Sequence, residues 1–205
     1  MSDNGAPAMG MGNVSVEDFR RSVLSRPPLH VDAAGYRRAA VLVPLLPEEG
    51  RWHVLFTRRS DALDRHGGQV SFPGGAAEKG ESPYMTALRE AGEEIGLLPG
   101  DVEILGELDE LCTPTGYVIT PVVGVLRQGV PLTPSRNEVA RLFTVPLDFF
   151  ADEHNAASET RIVDGRPREV WFYRTDGETI WGATALIIRG MLERLRASPA
   201  VDGST

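Results

Sequence analysis

Several features that mark large classes of proteins are scarce or absent in this sequence. Its 205 residues include one cysteine, Cys112, so no intrachain disulfide can form, and a reducing compartment such as the cytoplasm is favoured. No run approaches the ~20 apolar residues that a membrane-spanning helix requires. Residues 1–14 lack the basic and apolar segments of a secretory signal peptide. We therefore expect one cytoplasmic domain at 15–197, flanked by disordered tails at 1–14 and 198–205.

Positive charge is also scarce. The chain has 21 lysine and arginine residues against 29 aspartate and glutamate residues, which gives a net charge of −8 at pH 7. A general nucleic-acid binder depends on basic surface that neutralises phosphates, so this balance argues against such a partner. Acidity identifies no function by itself. It is compatible with a protein that gathers carboxylates to hold a metal ion.

Short strand-like runs bounded by proline or glycine predict a substantial sheet. These runs are Arg38–Leu45, His53–Arg59, Val102–Leu108 and Val118–Leu126. Pro121 inside the last run predicts an edge strand or a bulge, because proline has no N–H for the ladder. Two Asp-Gly pairs, Asp164-Gly165 and Asp176-Gly177, predict hairpin turns around a further strand at Glu169–Arg174.

Capping residues and apolar spacing predict three helices. The first begins at Ser15, which opens a capping-box pattern, and is stopped by Pro27-Pro28. The second is bounded by Ser82 and Gly96, a good N-cap and a good C-terminal stop. The third covers about Ala183–Arg196 and has one apolar stripe. Strands and helices together predict a mixed α+β domain.

The second helix carries a concentration of acidic residues. Glu90, Glu93 and Glu94 recur at i, i+3 and i+4, which places three carboxylates on one face. Like charges at this spacing destabilise an isolated helix, so an opposing charge is expected. Arg89 can neutralise part of the repulsion, and Glu81 can reach Arg89 and lock the preceding loop onto the helix. Hard oxygen ligands at this density suit Mg²⁺ or Mn²⁺.

An acidic string of this kind is by itself most often a solvated surface. Here it belongs to a longer pattern, because Gly75 to Leu97 satisfy G-x5-E-x7-R-E-U-x-E-E-x-G-U, where U is a bulky aliphatic residue. Ala91 is the one soft departure. The segment resembles the Nudix box. The resemblance implies a Nudix-type α/β/α sandwich with a mixed central sheet, in which the box forms a loop, a helix and a second loop.

The resemblance also implies roles for the box side chains. In Nudix enzymes the glutamates that match Glu90 and Glu94 usually hold the metal, and Glu93 serves as a further ligand or as a base. The metal neutralises phosphate charge and lowers the pKa of an attacking water, while a carboxylate takes the proton. The implied reaction splits a nucleoside diphosphate-linked substrate at its pyrophosphate. Glu81 and Arg89 are expected to support the catalytic loop.

The residues before the box narrow the expected substrate, because they are similar to the upstream signature of coenzyme A pyrophosphatases. That signature reads L-L-T-x-R-[SA]-x3-R-x3-G-x3-F-P-G-G. It is matched here by Leu55, Thr57, Arg59, Ser60, Gly68, Phe72, Pro73, Gly74 and Gly75. Phe56 replaces one leucine, and Asp64 stands where an arginine is expected, next to Arg65.

Coenzyme A carries a pyrophosphate and a 3′-phosphate, so its enzyme needs cations near the catalytic loop. Arg58, Arg59 and Arg65 supply a local basic cluster, and guanidinium groups suit phosphate. Arg59 is the better phosphate candidate because it holds the signature position. The expected substrate-binding set is completed by Ser60, Gly68, Phe72, Gly74 and Gly75.

A later stretch extends the resemblance. Leu105–Asp109, Thr113–Tyr117 and Asn137–Val139 are similar to the same subgroup. Glu138 falls where Nudix enzymes often have a catalytic carboxylate on a loop remote from the box. It is the leading candidate for an extra base or metal ligand, against the alternative of a loop-capping acid. The choice of base between Glu93 and Glu138 stays open.

The activity implied by these resemblances is hydrolysis of coenzyme A to adenosine 3′,5′-bisphosphate and 4′-phosphopantetheine, with Mg²⁺ or Mn²⁺ and with no nucleic-acid or membrane partner. One alternative is a Nudix pyrophosphatase for ADP-ribose, NADH or another nucleoside diphosphate derivative, and a weaker one is an RNA-cap hydrolase. An alternative of another class is a non-catalytic, ligand-sensing domain on the same fold. The complete set of box glutamates favours an enzyme.

Overall fold

The computed structural model describes residues 14–61, 67–163 and 165–197. Within these ranges it has four α-helices and eleven β-strands. The helices are α1 (Val16–Val23), α2 (Pro83–Ile95), α3 (Leu147–Ala151) and α4 (Ala183–Ala197). The strands are β1 (Arg37–Glu48), β2 (Arg51–Arg59), β3 (Val70–Ser71), β4 (Gly74–Ala76), β5 (Val102–Glu107), β6 (Leu111–Cys112), β7 (Tyr117–Leu126), β8 (Val139–Pro146), β9 (Ala156–Val163), β10 (Arg166–Thr175) and β11 (Glu178–Trp181).

Some predicted features lie outside the described residues. These are Arg65, Asp64, Asp164 and both expected tails except for Val14. Val14 itself packs against the core, and its carbonyl accepts a hydrogen bond from the indole of Trp52. In the part of the chain that the structure describes, no helix combines the length and apolar character needed to cross a membrane.

The helix ends follow the capping signals in the sequence. The hydroxyl of Ser15 accepts from the N–H of Asp18 at 3.1 Å, and the carboxylate of Asp18 accepts from the N–H of Ser15 at 2.9 Å, which completes the capping box of α1. At α2, Ser82 caps the N-terminus, and Gly96 ends the helix with φ of 70°, a left-handed conformation that suits glycine. The prediction of three helices misses α3, whose five residues are too few to show a helical period.

The main sheet is mixed, as predicted, and has helices on both faces. β1 runs parallel to β7 and antiparallel to β2 and β4. Strand β2 also pairs with β3 and with β8, antiparallel in both cases. Side chains alternate between the two faces of a strand. In β2, Val54 and Phe56 therefore pack in one cluster with α1, α3 and α4, whereas Leu55 packs in another with α2. This is the α/β/α arrangement expected from the box.

The expectation of an edge strand at Pro121 is wrong, because β7 lies between β1 and β5. Pro121 falls between Glu107, where β5 ends, and Leu111, where β6 begins, and both strands pair with β7 on the same side. The carbonyl of Pro121 accepts from the N–H of Leu108 at 2.9 Å. The N and C=O of one strand residue point to the same side, so the missing N–H faces an interruption of the ladder.

A second sheet has the strand order β11-β10-β9 and is antiparallel, which confirms the two predicted hairpins. Its inner face contributes Tyr173 and Ile180 to the larger core cluster. The hydroxyl of Thr184, at the start of α4, donates to the carbonyl of Val70 in β3 at 3.3 Å. Strand β11 of the second sheet is followed by α4, and this hydrogen bond holds the start of α4 beside β3 of the main sheet.

A buried arginine joins the two ends of the domain. Arg194 of α4 donates to the carbonyl of Val23 and to the carboxylate of Asp109, each at 2.6 Å. Asp109 also accepts from Arg26 and from the N–H of Leu29, both at 2.8 Å. The hydrogen bond from Arg26, followed by those from Leu29 and Arg194, holds the pKa of the Asp109 carboxyl well below its usual range. This network ties the segment after α1 to α4.

We predict that Asp109→Asn lowers the free energy of unfolding at pH 7 by about 2 kcal/mol, because it removes charged hydrogen bonds and leaves Arg194 poorly compensated. A depressed folded-state pKa stabilises above the unfolded value of about 3.9 and loses that effect on acidification. The difference between variant and wild type should thus shrink below about pH 4. Urea unfolding at pH 7 and pH 3 measures it.

Glu159→Gln is the control for this prediction, since Glu159 forms an exposed pair with Arg161, and such pairs contribute about 0–1 kcal/mol. An equal, small effect of the two substitutions at pH 7 would contradict a structural role for the Asp109 network.

Candidate active site

An arginine–glutamate pair holds the box loop against its helix. Arg89 Nε donates to Glu81 Oε1 at 2.7 Å, and Arg89 Nη2 donates to the carbonyl of Ala76 at 3.0 Å. Glu81 also accepts from the Thr86 hydroxyl and from the N–H of Glu78, each at 2.9 Å. The hydrogen bond from Arg89, with the other donors, lowers the pKa of Glu81 to about 2. The predicted contact between Glu81 and Arg89 is thus present.

The same arginine offsets part of the repulsion along the acidic helix. Its Nη1 lies 2.9 Å from Glu90 Oε1 and 3.4 Å from Glu93 Oε2. The three box carboxylates are nevertheless unequal. The side chain of Glu93 is 60% exposed, against 17% for Glu90 and 6% for Glu94. Glu93 therefore faces solvent, whereas Glu90 and Glu94 lie between the helix and the sheet.

Glu94 is the most enclosed acid of the site. Its Oε2 accepts from the N–H of Gly74 at 3.3 Å, and its Oε1 lies 3.6 Å from Arg59 Nη1. The pKa of Glu94 is raised to about 7, chiefly by burial and also by the charges of Glu90 and Glu138, although the hydrogen bond from Gly74 and the charge of Arg59 oppose the shift. A carboxylate in this setting is poorly compensated by the protein alone.

Glu138 belongs to the same electrostatic group although it lies on a loop remote from the box. Burial raises the pKa of Glu90, and the charges of Glu93 and Glu138 add to that effect. Glu138 therefore acts on both enclosed box carboxylates. The N–H of Ser60 donates to the carbonyl of Glu138 at 2.8 Å, which ties this loop to the end of β2.

Hard carboxylate oxygens with little compensation fit a divalent cation such as Mg²⁺ or Mn²⁺. Among residues 14–61, 67–163 and 165–197, no three or more His, Cys, Asp or Glu side chains form a ready-made metal cluster. Mg²⁺ commonly uses one or two carboxylates together with waters and substrate phosphates. The enclosed, mutually repelling pair of Glu90 and Glu94 meets that requirement.

Two glycines of β4 lie in close contact with their neighbours, Gly74 with β1 and Gly75 with the box helix. A Cβ on Gly75 would lie 2.5 Å from the carboxylate of Glu90, and one on Gly74 would lie 2.4 Å from the carbonyl of Ala40. Gly74 is therefore closed to any side chain, and a side chain at Gly75 would displace the Glu90 carboxylate. Phe72, by contrast, is buried and stacks on Phe56 with ring centroids 5.1 Å apart. Phe72 was expected to contact substrate, but the structure assigns it to the core.

The expected basic cluster is divided by the alternation of β2. Arg59 faces Glu94, whereas Arg58 leaves the opposite face, with Nη2 3.1 Å from Asp61 Oδ1 and Nε 3.7 Å from Glu178 Oε1. Gly68 lies beside this second group, since a Cβ there would be 2.7 Å from Asp61. Only Arg59 of the described arginines in the predicted cluster thus lies at the box carboxylates.

Two charged residues of this region, Glu178 and Arg141, were not predicted from the sequence. Glu178 of β11 accepts a hydrogen bond from Arg141 of β8 at 2.8 Å, and both lie near Arg58. Neither belongs to a motif with recognisable spacing. The Asp-Gly turn before β11 predicts a strand but carries no information about what that strand contacts.

Comparison with known sequences assigns this chain to a family. The profile of the NUDIX domain matches residues 35–164. A protein from Photorhabdus laumondii, described as uncharacterized Nudix hydrolase NudL, is 38% identical over 190 residues, which cover 89% of this chain and 99% of the relative. A protein of the same description from Escherichia coli K12 is 36% identical over 194 residues, covering 91% and 98%.

Solved structures support the same fold. A MutT/nudix family protein from Enterococcus faecalis has a TM-score of 0.53 at 14% identity, covering 96% of this chain and 75% of that one. The protein DR0079 from Deinococcus radiodurans has a TM-score of 0.51 at 17% identity, covering 78% and 86%. The box geometry, the profile match and the relatives aligned over nearly their whole length show that this chain belongs to the Nudix hydrolase family.

Proposed function

We propose that this Nudix hydrolase splits the pyrophosphate bond of coenzyme A, with Mg²⁺ or Mn²⁺ as cofactor, to give adenosine 3′,5′-bisphosphate and 4′-phosphopantetheine. The observation that carries the proposal is the 3.6 Å approach of Arg59 to Glu94. Arg59 holds the arginine position of the coenzyme A signature, and Glu94 is an enclosed box carboxylate. Membership of the family supports action on a nucleoside diphosphate-linked substrate, and the signature supports coenzyme A.

Glu90 and Glu94 are the residues proposed to hold the cation. When bound, the cation supplies positive charge to the diphosphate and lowers the pKa of the attacking water. Arg59 adds a guanidinium beside Glu94, where it can donate to a phosphate oxygen of the substrate. Glu81 and Arg89 keep the box loop fixed, so the carboxylates do not have to reorganise when substrate binds.

Glu138 is the proposed general base. This role is supported by the charge of Glu138, which acts on both Glu90 and Glu94, the carboxylates proposed to hold the cation. Glu93 is the weaker candidate because its carboxylate pairs with Arg89, at 3.4 Å. In the proposed step, Glu138 takes a proton from water as the water oxygen bonds to phosphorus. The bond from that phosphorus to the bridging oxygen breaks, and the second phosphate leaves.

The first prediction from this proposal concerns the enclosed carboxylate of Glu94. Glu94→Gln should lower kcat for coenzyme A by orders of magnitude, because it removes a charge that the cation requires. The fold should remain intact, since removing a buried charge relieves repulsion with Glu90 and Glu138. Steady-state kinetics and thermal denaturation measure the two effects, with Glu159→Gln as a surface control. Turnover near that of the wild type would contradict the assignment.

The second prediction separates the two candidate bases. Glu138→Gln should lower kcat by about 100-fold or more, the usual contribution of general base catalysis. Glu93→Gln should lower it by less than about 10-fold, because Glu93 pairs with Arg89 and its loss leaves Arg89 paired with Glu81 and Glu90. Rates are compared at saturating Mg²⁺. A larger loss for Glu93→Gln would assign the base to Glu93.

The third prediction concerns the substrate. Coenzyme A should be hydrolysed with kcat/KM about 10-fold or more above dephospho-coenzyme A, because a charged hydrogen bond to the 3′-phosphate is lost in the latter. ADP-ribose and NADH should be poorer still. Product analysis in ¹⁸O-labelled water with these four compounds measures the preference. Faster hydrolysis of ADP-ribose or NADH would point instead to the alternative nucleoside diphosphate substrates.

A further inference from the structure

Two arginines from adjacent strands meet one enclosed carboxylate on the face of β2 opposite the box helix. Arg58 and Arg141 are register partners in the β2–β8 pair. Glu178 of β11 lies 2.8 Å from Arg141 Nη2 and 3.7 Å from Arg58 Nε. Its side chain is 10% exposed, against 31% for Arg58 and 54% for Arg141. Glu178 reduces the repulsion between the two guanidinium groups and holds them side by side.

Arg58 has a second acidic partner, Asp61, which is exposed. Arg58 Nη2 lies 3.1 Å from Asp61 Oδ1, but the side chain of Asp61 is 69% exposed. Water and salt weaken exposed ion pairs, so an incoming anion can replace the Asp61 carboxylate at little cost. Gly68 packs closely against this group, because a Cβ there would lie 2.7 Å from Asp61 Oδ1 and 3.4 Å from Arg58 Nη2.

Arg58 is linked to the candidate catalytic site through its neighbour in the chain. Arg58 directly precedes Arg59, whose Nη1 is 3.6 Å from Glu94. The two side chains leave opposite faces at the same end of β2. An anion held by Arg58 is therefore distinct from a diphosphate at Glu94. A substrate with two separated phosphate groups has one group for each position.

We propose that Arg58 and Arg141 form a second anion subsite, which binds the terminal phosphomonoester of the substrate. Guanidinium groups suit this role because their planar N–H donors match phosphate oxygens. The inference rests on the proposed function and names the chemical group that determines its specificity. It also assigns a role to the second sheet, because Glu178 belongs to its strand β11. That strand lies beyond residues 35–164, which the NUDIX profile matches.

The test compares Arg141→Gln with Arg174→Gln on two substrates. Arg174 is an exposed arginine of the second sheet, paired with Glu159 at 3.9 Å, and serves as the matched control. Arg141→Gln should lower kcat/KM for coenzyme A by about 10-fold or more and for dephospho-coenzyme A by less than about 3-fold. Arg174→Gln should change neither by more than about 3-fold. Equal losses for both substrates with Arg141→Gln, or no loss for coenzyme A, would overturn the subsite.

A binding measurement tests the subsite without relying on turnover. Wild-type protein should bind adenosine 3′,5′-bisphosphate about 10-fold or more tightly than adenosine 5′-monophosphate in calorimetry, and Arg141→Gln should lose that preference. Absence of the preference in the wild-type protein overturns the subsite, whatever the folding of the variant. If coenzyme A is not hydrolysed but the preference is present and depends on Arg141, the proposed function fails and the subsite stands.

Discussion

The enclosed carboxylate of Glu94 is the constraint on which the rest of the site depends. Burial next to Glu90 and Glu138 raises its pKa to about 7, so the folded chain holds negative charge where it is unfavourable. The N–H of Gly74 in β4 and the guanidinium of Arg59 in β2 offset part of this cost. Both groups reach Glu94 from the sheet, so the sheet and the box helix together set the net charge at the proposed cation site.

Local signals in the sequence predicted the parts of the fold that local structure decides. The caps at Ser15, Ser82 and Gly96 act within a few residues, and all three are found where the sequence indicated. The prediction of an edge strand at Pro121 was wrong because the position of a proline depends on the strands that pair with it. The strand is central, but the ladder is interrupted opposite the proline. The helix α3 was missed because five residues reveal no period.

The site could be predicted only as far as its motifs extend along the chain. The box pattern predicted the contact between Glu81 and Arg89, which the structure contains. The signature singled out Arg59 as a phosphate-binding candidate, and its guanidinium lies 3.6 Å from Glu94. The sequence could have predicted that Arg58 and Arg59 lie on opposite faces of the sheet, since neighbouring strand residues point to opposite faces. The contact between Arg141 and Glu178 could not be predicted. It depends on how the second sheet packs beside β2 and β8, which no local pattern encodes.

The central claim is that the enclosed carboxylates of the box helix hold a divalent cation against the substrate diphosphate. Anomalous diffraction from crystals soaked with Mn²⁺ tests it most directly. The account predicts one strong peak bonded to carboxylate oxygens of Glu90 and Glu94 in the wild-type protein. Crystals that diffract well, with no anomalous peak at these residues or with manganese bound elsewhere, would contradict it.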